Sequence, residues 1–222
     1  MKNLIEQSFI KKILSKNFSC IGAKASITNA SYEFCVLDEM GSEKSTSALY
    51  ASLKSFNKKR LKLDKQYASF IVCFTQHEDI TPNRFEHLLW KQLYLLHQMD
   101  EFAWDSRVSD DINSPYFSFS IAGDAYFVIG MCPNHPRKCR EFLYPALIFN
   151  SHHQFQYLKE INLFDKIKKI VRLRELKYSG SINSNLVNFG EQSEALQYSG
   201  LQASQNWQCP FHFDKKENNN VC

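Results

Sequence analysis

The apolar positions of this chain fall into runs with alternating helical and strand-like spacing. Leu4, Ile5, Phe9, Ile10 and Ile13 share one face with lysines opposite, which predicts a first helix over residues 4–16. Residues 18–25 are read as a short segment in which Gly22 permits a turn. The run at 32–37 predicts a strand, and the polar stretch 41–57 predicts a helix starting at Ser45 or Thr46 with Leu49, Leu53 and Phe56 inward. Residues 67–75 (YASFIVCFT) predict a second strand. Asp79 and Thr81-Pro82 supply the cap and first turn of a long helix, with Phe85, Leu88, Leu89, Gln92 and Leu96 inward and its end near Trp104.

An acidic loop at 105–115 leads to Phe117, Phe119 and Ile121, which alternate with Ser118 and Ser120 as in a half-buried strand. Residues 122–125 then read as a hairpin turn into a strand at 126–131. A further apolar run covers 146–149. Residues 155–178 predict one helix, with Leu158, Ile161, Ile167 and Val171 apolar and a lysine- and arginine-rich opposite face. Beyond it the chain is loop-like to Gly200, with a short helix around 191–197. Strands and helices that alternate imperfectly, with one hairpin, predict an α+β fold with a mixed, mainly antiparallel sheet flanked by helices. Residues 1–212 are expected to form one domain and 213–222 (FDKKENNNVC) a disordered tail.

Composition narrows the partners. A net charge of +4, from 27 basic and 23 acidic groups, is too small a bias for a nucleic-acid binder. No run of 18 apolar residues suggests a membrane span, and the amino terminus has no apolar core of a signal peptide. Seven cysteines without a secretion signal suggest a reducing, cytoplasmic setting.

Candidate chemistry concentrates between Phe127 and Phe155, where three histidines, two cysteines, two arginines and three prolines lie between and just beyond two buried strands. Cys132, His135 and Cys139, with His152 and His153 downstream, offer soft ligands, but the paired spacing of a structural zinc site is absent. Arg137 and Arg140 suit carboxylates or phosphates, or surface ion pairs. His152 follows a strand end, where it serves as a structural residue or as a ligand to metal or haem. The segment 190–200 is dense in hydrogen-bonding groups, and Glu191 or Glu194 would suit a cationic ligand. Nucleotide-binding and serine-hydrolase fingerprints are missing.

These residues carry a resemblance. H-P-R-K-C-R-E-F at 135–142, P-A-L-x-F-N-x-H-x-Q-F at 145–155, F-G-E-Q-S-E-A-x-Q-Y-S-G at 189–200 and W-x-C-P-F at 207–211 resemble, in order, the motifs of the YqcI/YcgG family. Its amino-terminal P-C-x-G-A-K-A occurs at 19–25 with Ser19 in place of proline. The resemblance implies a haem-dependent oxygenase that hydroxylates a nitrogen of a guanidino compound, such as arginine, with O2 activated at a b-type haem. It implies His152 as proximal iron ligand with His135 in reserve, and Arg137 and Arg140 as partners of the haem propionates. It also implies Glu191 and Glu194 as acids facing the guanidinium, oriented by Gln197 and Tyr198. Electrons would come from an external donor or reductase, since no flavin or nicotinamide fingerprint is present. The alternative is a haem-binding or haem-sensing protein without turnover.

Overall fold

The computed structural model describes residues 1–60, 62–63, 67–77, 79–182, 190–203 and 207–210. Its strands are β1 (Tyr32–Leu37), β2 (Ser69–Phe74), β3 (Phe119–Ile121), β4 (Asp124–Met131) and β5 (Ala146–Ser151). They form one sheet in the order β1-β2-β5-β4-β3. Only β1 and β2 run parallel; the other three pairings are antiparallel. The helices are α1 (Lys2–Leu14), α2 (Ile21–Thr28), α3 (Glu43–Arg60), α4 (Pro82–Met99), α5 (His152–Glu160), α6 (Phe164–Ser179) and the single turn α7 (Ala195–Tyr198). The fold is α+β with a mixed, mostly antiparallel sheet.

Every residue of β2 is buried, as the unbroken apolar run requires of a strand covered on both faces. Strand alternation sends Phe70, Val72 and Phe74 to the layer of α3 and α4, and Ile71 and Cys73 to the layer of α1. Gln92 ties α3 to α4 from inside the first layer: its Oε1 accepts from Gly41 N (2.8 Å) and its Nε2 donates to Thr46 Oγ1 (2.8 Å). Gly130 of β4 faces the same layer. A Cβ there would lie 2.7 Å from the Phe85 ring and 2.9 Å from Leu89, so α4 packs against bare backbone.

Several elements depart from the sequence reading. The turn expected at Gly22 is the first turn of α2, capped by Cys20 and continued by good helix formers Ala23, Lys24 and Ala25. The single helix expected over 155–178 is two helices, broken where Asn162 adopts a left-handed φ of 56°. The long helix stops at Met99 rather than near Trp104, because Asp100 turns the chain to bond Tyr50 and the Ala122 amide. Ser118 and Ser120 are buried rather than outward, because Ser120 Oγ accepts from Asp105 N (2.9 Å) and Ser118 meets His152. The expected tail at 213–222 lies outside the described residues.

β3 covers only the first part of β4. Past it, the edge of β4 is met by side chains. Arg140 donates to the Gly130 carbonyl (3.0 Å) and to the carbonyls of Tyr198 (3.2 Å) and Gln197 (3.1 Å). The Tyr198 hydroxyl accepts from Phe119 N (2.9 Å) and donates to the Tyr126 carbonyl (3.3 Å). The α7 segment is thereby fastened to the sheet margin.

Candidate functional site

At the end of β5 the chain turns directly into α5, with Ser151 Oγ accepting from His153 N (3.3 Å) as the cap. This transition carries the His152 imidazole inward, to a position only 7% exposed. Its Nε2 lies 2.7 Å from Ser118 Oγ and 3.2 Å from Glu194 Oε2, a carboxylate itself 6% exposed. The Ser118 hydroxyl donates to the Tyr126 carbonyl (3.0 Å), so Ser118 accepts from His152 and Nε2 carries the proton. Serine and carboxylate therefore share one imidazole nitrogen. A hydrolytic triad needs the base to accept the serine proton and to donate from its other nitrogen, so this is not one.

The pair opens onto a cavity of about 390 Å3 between the sheet and the α1, α2, α5 and α6 layer. That volume suits a small-molecule or cofactor site. Ile71, Ile129, Met131 and Ile148 form its sheet wall, and Phe9 and Phe155 stand among the helical residues that line it. Its polar lining includes three groups without a partner. The side chains of Ser19 (2% exposed), Gln154 (5%) and Gln197 (4%) face the cavity and make no hydrogen bond among the described residues. Polar groups that face a cavity without a protein partner are satisfied there by water or by a bound ligand. Arg107, Lys159, Lys168 and Arg172 add positive charge to the lining.

Of the residues singled out from the sequence, the fold brings His152, Glu194, Gln197, Arg140 and Cys139 to this cavity. His135 lies outside it, with both ring nitrogens occupied: Nε2 meets the Ser199 carbonyl (3.1 Å) and Nδ1 accepts from Arg137 N (3.0 Å). Burial, with the Arg140 charge adding to it, pushes its pKa down to about 4. Arg137 is paired with Glu175, Nη2 to Oε1 2.5 Å, in a contact nearly closed to solvent. Glu191 is exposed, and Tyr198 is a core residue stacked on Trp90 with ring centroids 5.6 Å apart. Cys132 belongs to the α3 and α4 layer and Cys139 packs against the α1 layer. No cluster of three or more His, Cys, Asp or Glu that would hold a metal ion occurs among the described residues.

Other residues of the site escaped the sequence reading. Cys20 was hidden in a supposed turn, and Ser118, which does not line the cavity but holds His152 from behind, looked like the outward half of an alternating strand. Gln154 had a signal, since it stands two positions after His152 in the same strand-to-helix segment. Both line the cavity.

A mixed sheet with a lateral cavity, walled by apolar groups and ended by a buried carboxylate–imidazole pair, defines a protein of the α+β class with a candidate ligand site. The chain belongs to the YqcI/YcgG family, whose family model matches residues 9–212. It is similar to YcgG of Bacillus subtilis (strain 168), an uncharacterized protein, with 27% identity over 115 residues. The match covers 49% of this chain and 46% of that protein, so it spans about half the length of the relative. No solved structure matches the chain. No helix among the described residues is long and apolar enough to cross a membrane.

Proposed function

We propose that this protein is a haem-dependent oxygenase that hydroxylates a nitrogen of a guanidino compound, with haem b and substrate sharing the cavity beside the sheet. The observation that carries the reading is the buried Glu194 carboxylate, set beside the unpartnered amide of Gln197 in an apolar-walled cavity that Gln154 also lines. A guanidinium offers five N–H donors in a fixed plane, and a carboxylate flanked by amide oxygens is the acceptor set that matches it.

The lining also fits the cofactor. A porphyrin needs apolar surface on its faces and cations near its propionates, and the sheet wall, Phe9 and Phe155, with Arg107, Lys168 and Arg172, have that chemistry. When bound, haem supplies the activation of O2 that no side chain of this protein can supply. The chain's own residues do the rest. Glu194 binds the substrate cation, and Nε2–H of His152 fixes the carboxylate that does so. Arg140 grips the carbonyls of Gln197 and Tyr198 and so holds the turn that carries Glu194. The apolar walls exclude water from the reacting nitrogen. The reaction consumes two electrons from an external donor.

Glu194→Gln is expected to keep its haem and to weaken the Soret shift caused by arginine or related guanidines roughly 10- to 100-fold in affinity, the worth of one charged hydrogen-bond pair. Glu191→Gln, at an exposed position, is expected to leave that titration unchanged. Equal guanidine affinities in wild type and Glu194→Gln would move the substrate site elsewhere.

A further inference from the structure

We infer that Cys20 supplies the protein ligand to the haem iron, as a thiolate, in place of a histidine; the inference rests on the haem reading proposed above. It starts from which donor atoms the fold leaves available. Both nitrogens of His135 are engaged by backbone groups outside the cavity. Nε2 of His152 is shared between Ser118 and Glu194, and taking it for iron would release the carboxylate that the substrate needs.

Cys20 lines the cavity and is the N-cap of α2, an eight-residue helix. Its Sγ accepts from Ala23 N at 3.4 Å, and the Gly22 amide also bonds it. Amide donors and the positive end of a helix stabilise a sulfur anion, and N–H···S bonds tune the donor strength of a ligating thiolate. A second observation, independent of the cysteine, marks the place as one that holds a ligand. Ser19, the neighbouring residue, lines the same cavity almost fully buried with its hydroxyl unpartnered, as do the side-chain amides of Gln154 and Gln197.

Cys139 also lines the cavity, but its thiol donates to Glu175 Oε1 (3.4 Å), so a thiolate there would face a carboxylate. Burial raises the Cys20 thiol too, with the Glu175 charge adding to it, but the Ala23 and Gly22 amides and the Arg140 charge oppose that rise. On ligation the Cys20 thiol releases its proton to solvent and its sulfur gives an electron pair to iron, displacing the water or added base there. No oxidant or reductant is consumed. A thiolate enriches the iron in electron density and so favours O–O cleavage, which suits an oxygenase more than a sensor.

The test is the ferrous–CO spectrum of full-length protein reconstituted with hemin, together with haem stoichiometry, for wild type, Cys20→Ser, Cys20→His, His152→Ala and Cys139→Ser. Serine is a strong N-cap, so Cys20→Ser removes the soft ligand while keeping α2 capped. Wild type, His152→Ala and Cys139→Ser are expected to share the red-shifted Soret band of thiolate-ligated ferrous–CO haem. Cys20→Ser is expected to lose that band and at least tenfold in hemin affinity, and Cys20→His to show an imidazole-type band. A wild-type band of the imidazole type, or a thiolate band that survives Cys20→Ser or disappears in Cys139→Ser, overturns the ligand assignment while leaving the haem reading intact. A wild-type protein that fails to bind hemin overturns both.

Discussion

His135 illustrates how a chemically suggestive side chain becomes structural. Its imidazole spans the 132–145 loop and the Ser199 carbonyl, and burial holds it neutral with a pKa of about 4 against an ordinary value near 6.5. Between those values the unfolded chain takes up a proton that the folded chain refuses, so stability rises with pH through this window and is lost as pH falls. Chemical denaturation followed from pH 7 to pH 4 is expected to show a loss of up to about 3 kcal/mol from this group. His135→Gln is expected to be less stable at pH 7 and to flatten that profile; an unaltered slope would remove the assignment. His152 and Glu194 were legible in the sequence because each stands where a polar residue interrupts an element boundary. Their pairing was not, since forty-odd residues separate them and only the fold brings them together. Cys20 was illegible for a local reason: Gly22 is as acceptable in a first helical turn as in a loop, and its capping role depends on the amides that follow.

At the scale of elements, the strands were readable because burial on both faces leaves unbroken apolar runs, and β1 coincides with its expected span at 32–37. α4 was readable because Thr81-Pro82 marks its start and Thr81 Oγ1 accepts from Arg84 N (3.3 Å). The break between α5 and α6 was not, because the apolar spacing continues through Ile161 and only Asn162 marks the change of direction. The close packing of α4 on β4 has a measurable consequence. Gly130→Ala places a methyl group against Phe85 and Leu89, and overpacking of this kind costs about 1–3 kcal/mol. The expected result is a Tm lower by roughly 2–4 °C for each kcal/mol in a chain of this size, with far-ultraviolet circular dichroism unchanged. A Tm equal to wild type would show that the layer has room to yield.

The whole molecule divides its labour between the faces of the sheet. The α3 and α4 layer is filled by aromatic and aliphatic side chains, while on the opposite face α1 packs on part of the sheet and the cavity opens beside it, between the sheet and α2, α5 and α6. A ligand that fills this space binds only the folded state and stabilises it by mass action, by about 2.7 kcal/mol at a hundredfold excess over Kd. Hemin added to apoprotein is therefore expected to raise Tm in a concentration-dependent way, and no rise at saturating hemin would separate the cavity from the cofactor. The sheet margin has a different consequence. A strand whose partner stops after three residues offers its remaining amides and carbonyls to any other extended chain, the common route to edge-to-edge aggregation. Arg140 and the 193–199 turn occupy that margin, so the segment that delivers Glu194 to the cavity also guards the sheet against self-association. Loss of site geometry and loss of solubility are thus linked in this fold: a variant that frees the turn from Arg140 gives up both.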